Sequence, residues 1–97
     1  MAKESSIEGQ GNQLAFMVGW ANYKGQATDR NGAADRIYMK QGRGFVVEWK
    51  KPGGRQRKTQ KTEQKLCVKL GIPYYVCSSL NQFRKILLTE EDKLTGN

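Results

Sequence analysis

Asp35, Glu48 and Lys50 are residues whose types and spacing could do chemistry in this chain. Two carboxylates that meet on one face of a strand pair can hold a hard divalent cation, Mg²⁺ or Mn²⁺. A lysine beside them can orient a water molecule or neutralise developing charge. Such a group suits phosphodiester hydrolysis, which needs an activated water and a stabilised pentavalent phosphate. The pattern D-x₁₂-E-x-K is equally met by ordinary alternating charges on a solvated strand face.

The stretch that must position these residues is DRIYMKQGRGFVVEWK, residues 35–50. Ile37-Tyr38-Met39 and Phe45-Val46-Val47 are β-prone runs separated by a glycine-bearing connection of hairpin length. With a loop of the four residues 41 to 44, Lys40 faces Phe45, Asp35 faces Lys50 and Ile37 faces Glu48. Alternation at period 2 then gathers Asp35, Glu48 and Lys50 on one face, with the carboxylates as diagonal neighbours at roughly 7–8 Å. A bulge at either glycine would shift this register, but Glu48 and Lys50 share a face in any register.

Upstream, Ser5 and Glu8 have the spacing of a capping box, and Ile7, Leu14 and Val18 recur at helical intervals up to Gly19. A first helix over about Ser6 to Val18 follows. Glu8 could add a third carboxylate to the group, with Glu4 as its competitor, although the capping box already accounts for an acid at position 8. Gly9 and Gly11 lie inside that helix at a cost of about 1 kcal/mol each against alanine.

Trp20 to Lys24 reads as a strand, and the polar run Gly25 to Gly32 as a loop holding the turn-rich Asp29-Arg30-Asn31-Gly32. After the hairpin, Lys51-Pro52-Gly53-Gly54 breaks regular structure. Thr59 offers a cap for a second helix with Leu66, Cys67 and Leu70 as its apolar stripe, stopped by Gly71 and Pro73. Tyr74 to Cys77 suits a buried strand, and Ser79 to Gln82 repeats the capping-box spacing before Leu80, Phe83 and Leu87 mark the inner face of a third helix. Beyond Thr89 the acids Glu90, Glu91 and Asp92 suggest a frayed tail over 89–97. The predicted class is α/β, a small mixed sheet flanked by helices in the order α-β-β-β-α-β-α.

Ninety-seven residues make one small domain, 1–97. No apolar run approaches the roughly 20 residues of a membrane helix, and the N-terminus lacks the apolar core of a signal peptide, so a cytoplasmic protein is expected. Cys67 and Cys77 form no CxxC pattern and read as free thiols rather than zinc ligands. Histidine is absent, so catalysis would rest on carboxylates, lysine and a hard metal, with no small-molecule cofactor. Motifs of nucleotide-binding, serine-hydrolase and zinc enzymes are also missing.

The net charge of +8 favours a polyanionic partner. The charge is local: the stretch from Lys50 to Lys69 holds eight Lys and Arg against the single acid Glu63. Gly53 and Gly54 let backbone approach phosphates, with Lys51, Arg55, Arg57, Lys58 and Lys61 as candidate DNA contacts. The alternative is a solubilising loop and a solvated helix face.

Taken together these segments resemble a known family. Glu4-Ser5-Ser6-Ile7-Glu8 is similar to an E-x-x-I-E opening, Gly32-Ala33-Ala34-Asp35-Arg36 to a G-x-P-D-R motif, and Phe45 to Gly54 to a strand ending in E-x-K before a glycine-proline loop. Leu70-Gly71 with Tyr75-Val76-Cys77-Ser78 resembles a helix-to-last-strand segment. In order and interval they resemble the VRR-NUC domain, the virus-type replication-repair nuclease branch of the PD-(D/E)xK superfamily, in its short stand-alone phage form, over about Glu4 to Leu88. Ala34 stands where the motif's proline would be, and Gly9 and Gly11 interrupt what the family builds as a helix.

The resemblance implies a restriction-endonuclease-like fold and a divalent-metal-dependent endonuclease acting on branched DNA, such as a Holliday-junction resolvase in DNA repair. It implies Asp35 and Glu48 as metal ligands, Glu8 as an outer ligand, Lys50 acting on water or phosphate, and Gln60 as an orienting residue. It also implies a homodimer. Two rival readings stand beside it: a non-catalytic nucleic-acid-binding module built on the basic loop, and a small protein-interaction domain.

Overall fold

The computed structural model describes residues 6–24, 35–50 and 58–96, with the backbone alone at Asp35, Lys58, Thr59 and Gln60. The elements run α1 (Ile7–Met17), β1 (Ala21–Lys24), β2 (Asp35–Lys40), β3 (Arg43–Trp49), α2 (Lys58–Leu70), β4 (Tyr74–Cys77) and α3 (Leu80–Leu94). This is the expected α-β-β-β-α-β-α order. One sheet of order β1-β2-β3-β4 results, its first three strands antiparallel and β4 parallel to β3 across the α2 crossover. No helix among the described residues is long and apolar enough to cross a membrane.

The hairpin is tighter than its glycines suggest. Lys40 pairs with Arg43, leaving a loop of Gln41 and Gly42, whose φ angles are +50° and +80°. Two positive φ values are the pattern of a type I′ turn, whose twist matches that of the flanking strands. Arg43 and Gly44 therefore belong to β3, and Asp35 pairs with Glu48 and Ile37 with Val46. The four-residue loop and the Asp35–Lys50 pairing are corrected by a shift of two. Because side chains alternate with period 2, a shift of two returns every residue to its expected face.

One face of the sheet carries the core. Tyr38, Phe45, Val47 and Cys77 point toward α1 and α3, where Ala15, Trp20 and Phe83 are fully buried and Leu87 nearly so. Tyr38 stacks on Phe45 at 5.1 Å, Trp20 meets Phe45 edge-on at 5.0 Å, and Trp49 leans on Phe83 at 5.0 Å.

Helix α1 buries its small residues fully, and of the expected stripe only Leu14 packs against the core. Gly11 and Ala15 are its buried positions, whereas Ile7 and Val18 of the expected stripe are exposed. The reason is proximity: a Cβ built on Gly11 would lie 2.7 Å from Cη2 of Trp49. The cap of α1 is Ser6, which accepts the Gly9 N–H at 3.0 Å, one residue later than the Ser5–Glu8 box. At the other end Gly19, at φ +95°, and Trp20 send their N–H groups to Phe16 and Ala15, closing the helix as expected.

Helix α2 begins at Lys58, so Thr59 lies inside it rather than capping it. Gly71 ends it at φ +79°. Its predicted stripe is corrected as well, since Leu66 and Leu70 are more than half exposed. In α3, Ser79 caps as expected, accepting the Gln82 N–H at 3.1 Å.

The frayed tail is the largest correction. Helix α3 continues to Leu94, and its acids are anchors. Glu90, 1% exposed, accepts from the Tyr75 hydroxyl and the Lys93 ammonium. Glu91 Oε2 accepts from Trp20 Nε1 and Lys40 Nζ, each at 2.7 Å. The Lys40 bond, helped by Trp20 and opposed by burial, holds the Glu91 carboxyl below its ordinary pKa.

A depressed folded-state value means that this stabilisation is present above the ordinary glutamate range and is lost as pH falls through the lowered value. Glu91→Gln should therefore lower Tm most near neutral pH, and the gap to wild type should close toward acid. Melting curves from pH 7 down to pH 3 check this; a constant gap would show that the ionised form adds nothing.

Candidate functional site

Glu48, the sixth residue of β3, sits between Asp35 on β2 and Val76 on β4 in the ladder. Val47 turns into the α1 and α3 face, so Glu48 projects from the opposite one. There it is fully buried. An ionised carboxylate out of water costs several kcal/mol unless cations and donors surround it. Lys50 Nζ lies 3.3 Å from Glu48 Oε2, and the Tyr74 hydroxyl donates to Oε1 at 2.8 Å.

Each part of the Glu48-Trp49-Lys50 triplet is fixed by a different element. Glu48 is held in the strand ladder. The Trp49 ring fills the space over Gly11, and its Nε1 donates to the Tyr38 hydroxyl at 3.1 Å, which in turn donates to Asn12 Oδ1 at 2.6 Å. Burial raises the Tyr38 pKa, so that hydroxyl remains a neutral link. The Lys50 N–H reaches Cys77 O at 2.9 Å, extending the β3–β4 pairing by one residue.

The observed register moves Asp35 from a diagonal position to the position directly across from Glu48. Cβ atoms of direct partners are about 4.5–5.5 Å apart, closer than the diagonal spacing expected from sequence. The two acids and Lys50 therefore remain candidates for one site.

Glu8 is a different matter. Its carboxylate accepts from Arg36 Nε at 2.7 Å, and Arg36 Nη1 donates to Asn22 Oδ1 at 3.0 Å. Arg36 pairs with the core residue Val47, so this ion pair lies on the α1 side of the sheet while Glu48 lies on the other. The expected third carboxylate is thus engaged elsewhere. Among the described residues no group of three His, Cys, Asp or Glu could hold a metal ion.

Gln60 and Lys58 fall in the first turn of α2, where the backbone alone is described. Lys61 is exposed in the next turn and is followed at helical spacing by exposed Lys65 and Lys69. Lys61, Gln64, Lys65 and Val68 line a shallow groove along that helix. Lys51, Arg55 and Arg57, with the glycines between them, lie outside the described residues, as do Glu4 and the Gly25–Gly32 loop.

Comparison with known proteins finds no matching family model, curated protein or solved structure. What the site can do follows from its own residues. Cys77 and Cys67 are free thiols, and burial raises the Cys77 pKa, so that thiol is unsuited to nucleophilic work. The chemistry present is a buried carboxylate, a second acid across the ladder, and a lysine whose side chain is 12% exposed. Tyr74 is the participant that sequence reasoning missed, and Arg36, which holds Glu8 on the other side of the sheet, is the partner it missed. The crossover rule could have placed β4 beside β3, but a parallel register has no local signature.

Proposed function

We propose that this chain is a divalent-metal-dependent endonuclease acting on branched DNA, an intracellular four-way-junction resolvase of restriction-endonuclease-like fold. The observation that carries the reading is the buried Glu48 carboxylate, with Lys50 upon it and Asp35 directly opposite. The order of motifs around those three residues, which resembles the VRR-NUC domain, supports it further.

A pair of hard oxygen donors suits Mg²⁺ or Mn²⁺, which are commonly bound by one or two carboxylates together with a substrate phosphate. Asp35 and Glu48 would hold the ion, which supplies Lewis-acid charge and a more acidic water when bound. Lys50 contributes a fixed positive charge where the phosphate becomes more negative and can direct a water toward phosphorus. Lys61 and the basic residues that precede it in sequence would supply the attraction for the DNA backbone. A homodimer would set two such sites on the two symmetry-related strands of a junction.

The rival, a non-catalytic DNA-binding module, draws its support from Glu8, whose carboxylate is committed to Arg36. Cleavage of a labelled four-way junction, beside linear duplex and single strand, with Mg²⁺, Mn²⁺ or EDTA separates the two. Metal-dependent cuts placed symmetrically near the branch are expected; binding without cutting under every metal would leave the module.

A further inference from the structure

Adjacent tyrosines on β4 serve opposite faces of the sheet, and each gives its hydroxyl to a buried carboxylate. Tyr75 packs against the core and donates to Glu90. Tyr74 points the other way and donates to Glu48 Oε1 at 2.8 Å. We propose that Tyr74 is the positioning residue that sets the affinity of the Asp35–Glu48 pair for a divalent cation, an inference that rests on the metal-site reading above.

The geometry gives Tyr74 this role for three reasons. First, its place is fixed from outside the site: β4 opens with Tyr74 paired to Val46, and the Val46 N–H reaches Pro73 O at 2.9 Å. The hydroxyl therefore approaches Glu48 from a strand that neither acid belongs to. Second, the contact is to Oε1 while Lys50 faces Oε2, so the carboxylate is held against rotation with its two oxygens distinguished. Third, Tyr74 is not part of the buried core, so removing its hydroxyl leaves core packing intact while taking a donor from the buried Glu48 carboxylate. Hydrogen bonds that orient a metal-binding carboxylate commonly govern affinity by about 10–100-fold.

The experiment compares wild type, Tyr74→Phe and Tyr75→Phe as full chains. Mn²⁺ binding is followed by the electron paramagnetic resonance of the free ion, beside thermal melting and the Mg²⁺ dependence of junction cleavage. Tyr74→Phe should weaken Mn²⁺ binding by about tenfold or more and move the Mg²⁺ activation midpoint in the same direction, with cleavage largely recovered at saturating metal. Tyr75→Phe should melt earlier yet bind Mn²⁺ as wild type does.

Equal Mn²⁺ affinity in wild type and Tyr74→Phe would overturn the role of Tyr74 alone. So would a loss of cleavage that is the same at every metal concentration, or an equal affinity loss in Tyr75→Phe. A wild-type chain that binds no Mn²⁺ would overturn the metal-site reading and this inference with it.

Discussion

Lys50→Ala and Asp35→Asn should each reduce junction cleavage by at least about 10²–10³-fold while leaving junction binding nearly unchanged. That range is what removal of one preorganised charge from a transition state commonly costs. Binding should persist because, under the proposed function, the many basic residues from Lys51 to Lys69 rather than the site would carry it.

Lys50→Ala carries a second expected result. It withdraws the cation 3.3 Å from a carboxylate that is fully buried, and breaking a buried pair costs up to about 3–5 kcal/mol. The variant should melt earlier in EDTA, and Mg²⁺ should restore part of the loss if the ion takes the place of the ammonium, since a ligand bound only to the folded state stabilises it. Parallel cleavage, binding and melting series would check both results. Wild-type cleavage by either variant would remove the site.

Gly11→Val should lower stability by about 2–3 kcal/mol, as packed cores resist added volume. A Cβ at this position would meet Trp49 Cη2 at 2.7 Å, Trp49 Cζ2 at 2.9 Å and Phe83 Cδ2 at 3.2 Å. The indole has little room to retreat, because its Nε1 is bonded to Tyr38 and its ring packs against Phe83. Leaving glycine recovers only a few tenths of a kcal/mol of helix propensity with a β-branched residue. For a domain of this size the loss corresponds to a fall in Tm of roughly 10–20 °C. Because Trp49 separates Glu48 from Lys50, cleavage should fall with it at temperatures where the variant is still folded. An unchanged melting temperature would mean that α1 can move off the sheet freely.

The order of elements was legible because punctuation marks it: Gly19 and Gly71 close helices with positive φ, and Pro73 separates α2 from β4. The face shared by Asp35, Glu48 and Lys50 was legible for a more fortunate reason, since a register error of two leaves alternation intact. The turn itself was not, because Gln41 gives no sign that it will adopt a left-handed conformation. Ser5 and Ser6 fit a helix start equally well on paper, and only the bond from Gly9 selects Ser6.

What escaped were polar groups whose partners are remote in sequence. Glu8 looked like a cap or a ligand until Arg36, 28 residues away, claimed it. Glu90 and Glu91 looked like a solvated acidic tail, since nothing nearby hints at Tyr75, Trp20 or Lys40. Tyr74 looked like strand filling, because its use depends on how β4 lines up with Glu48.

The bonds from Glu91 span 71 residues to Trp20 and 51 to Lys40. During synthesis the hairpin and the end of α1 exist long before their clasp does. A chain halted before residue 91 holds every strand of the sheet yet lacks the acid that ties Trp20 to the base of the hairpin turn. The last turns of α3 thus clasp the end of α1 and the hairpin through an acid that is made only after every strand of the sheet.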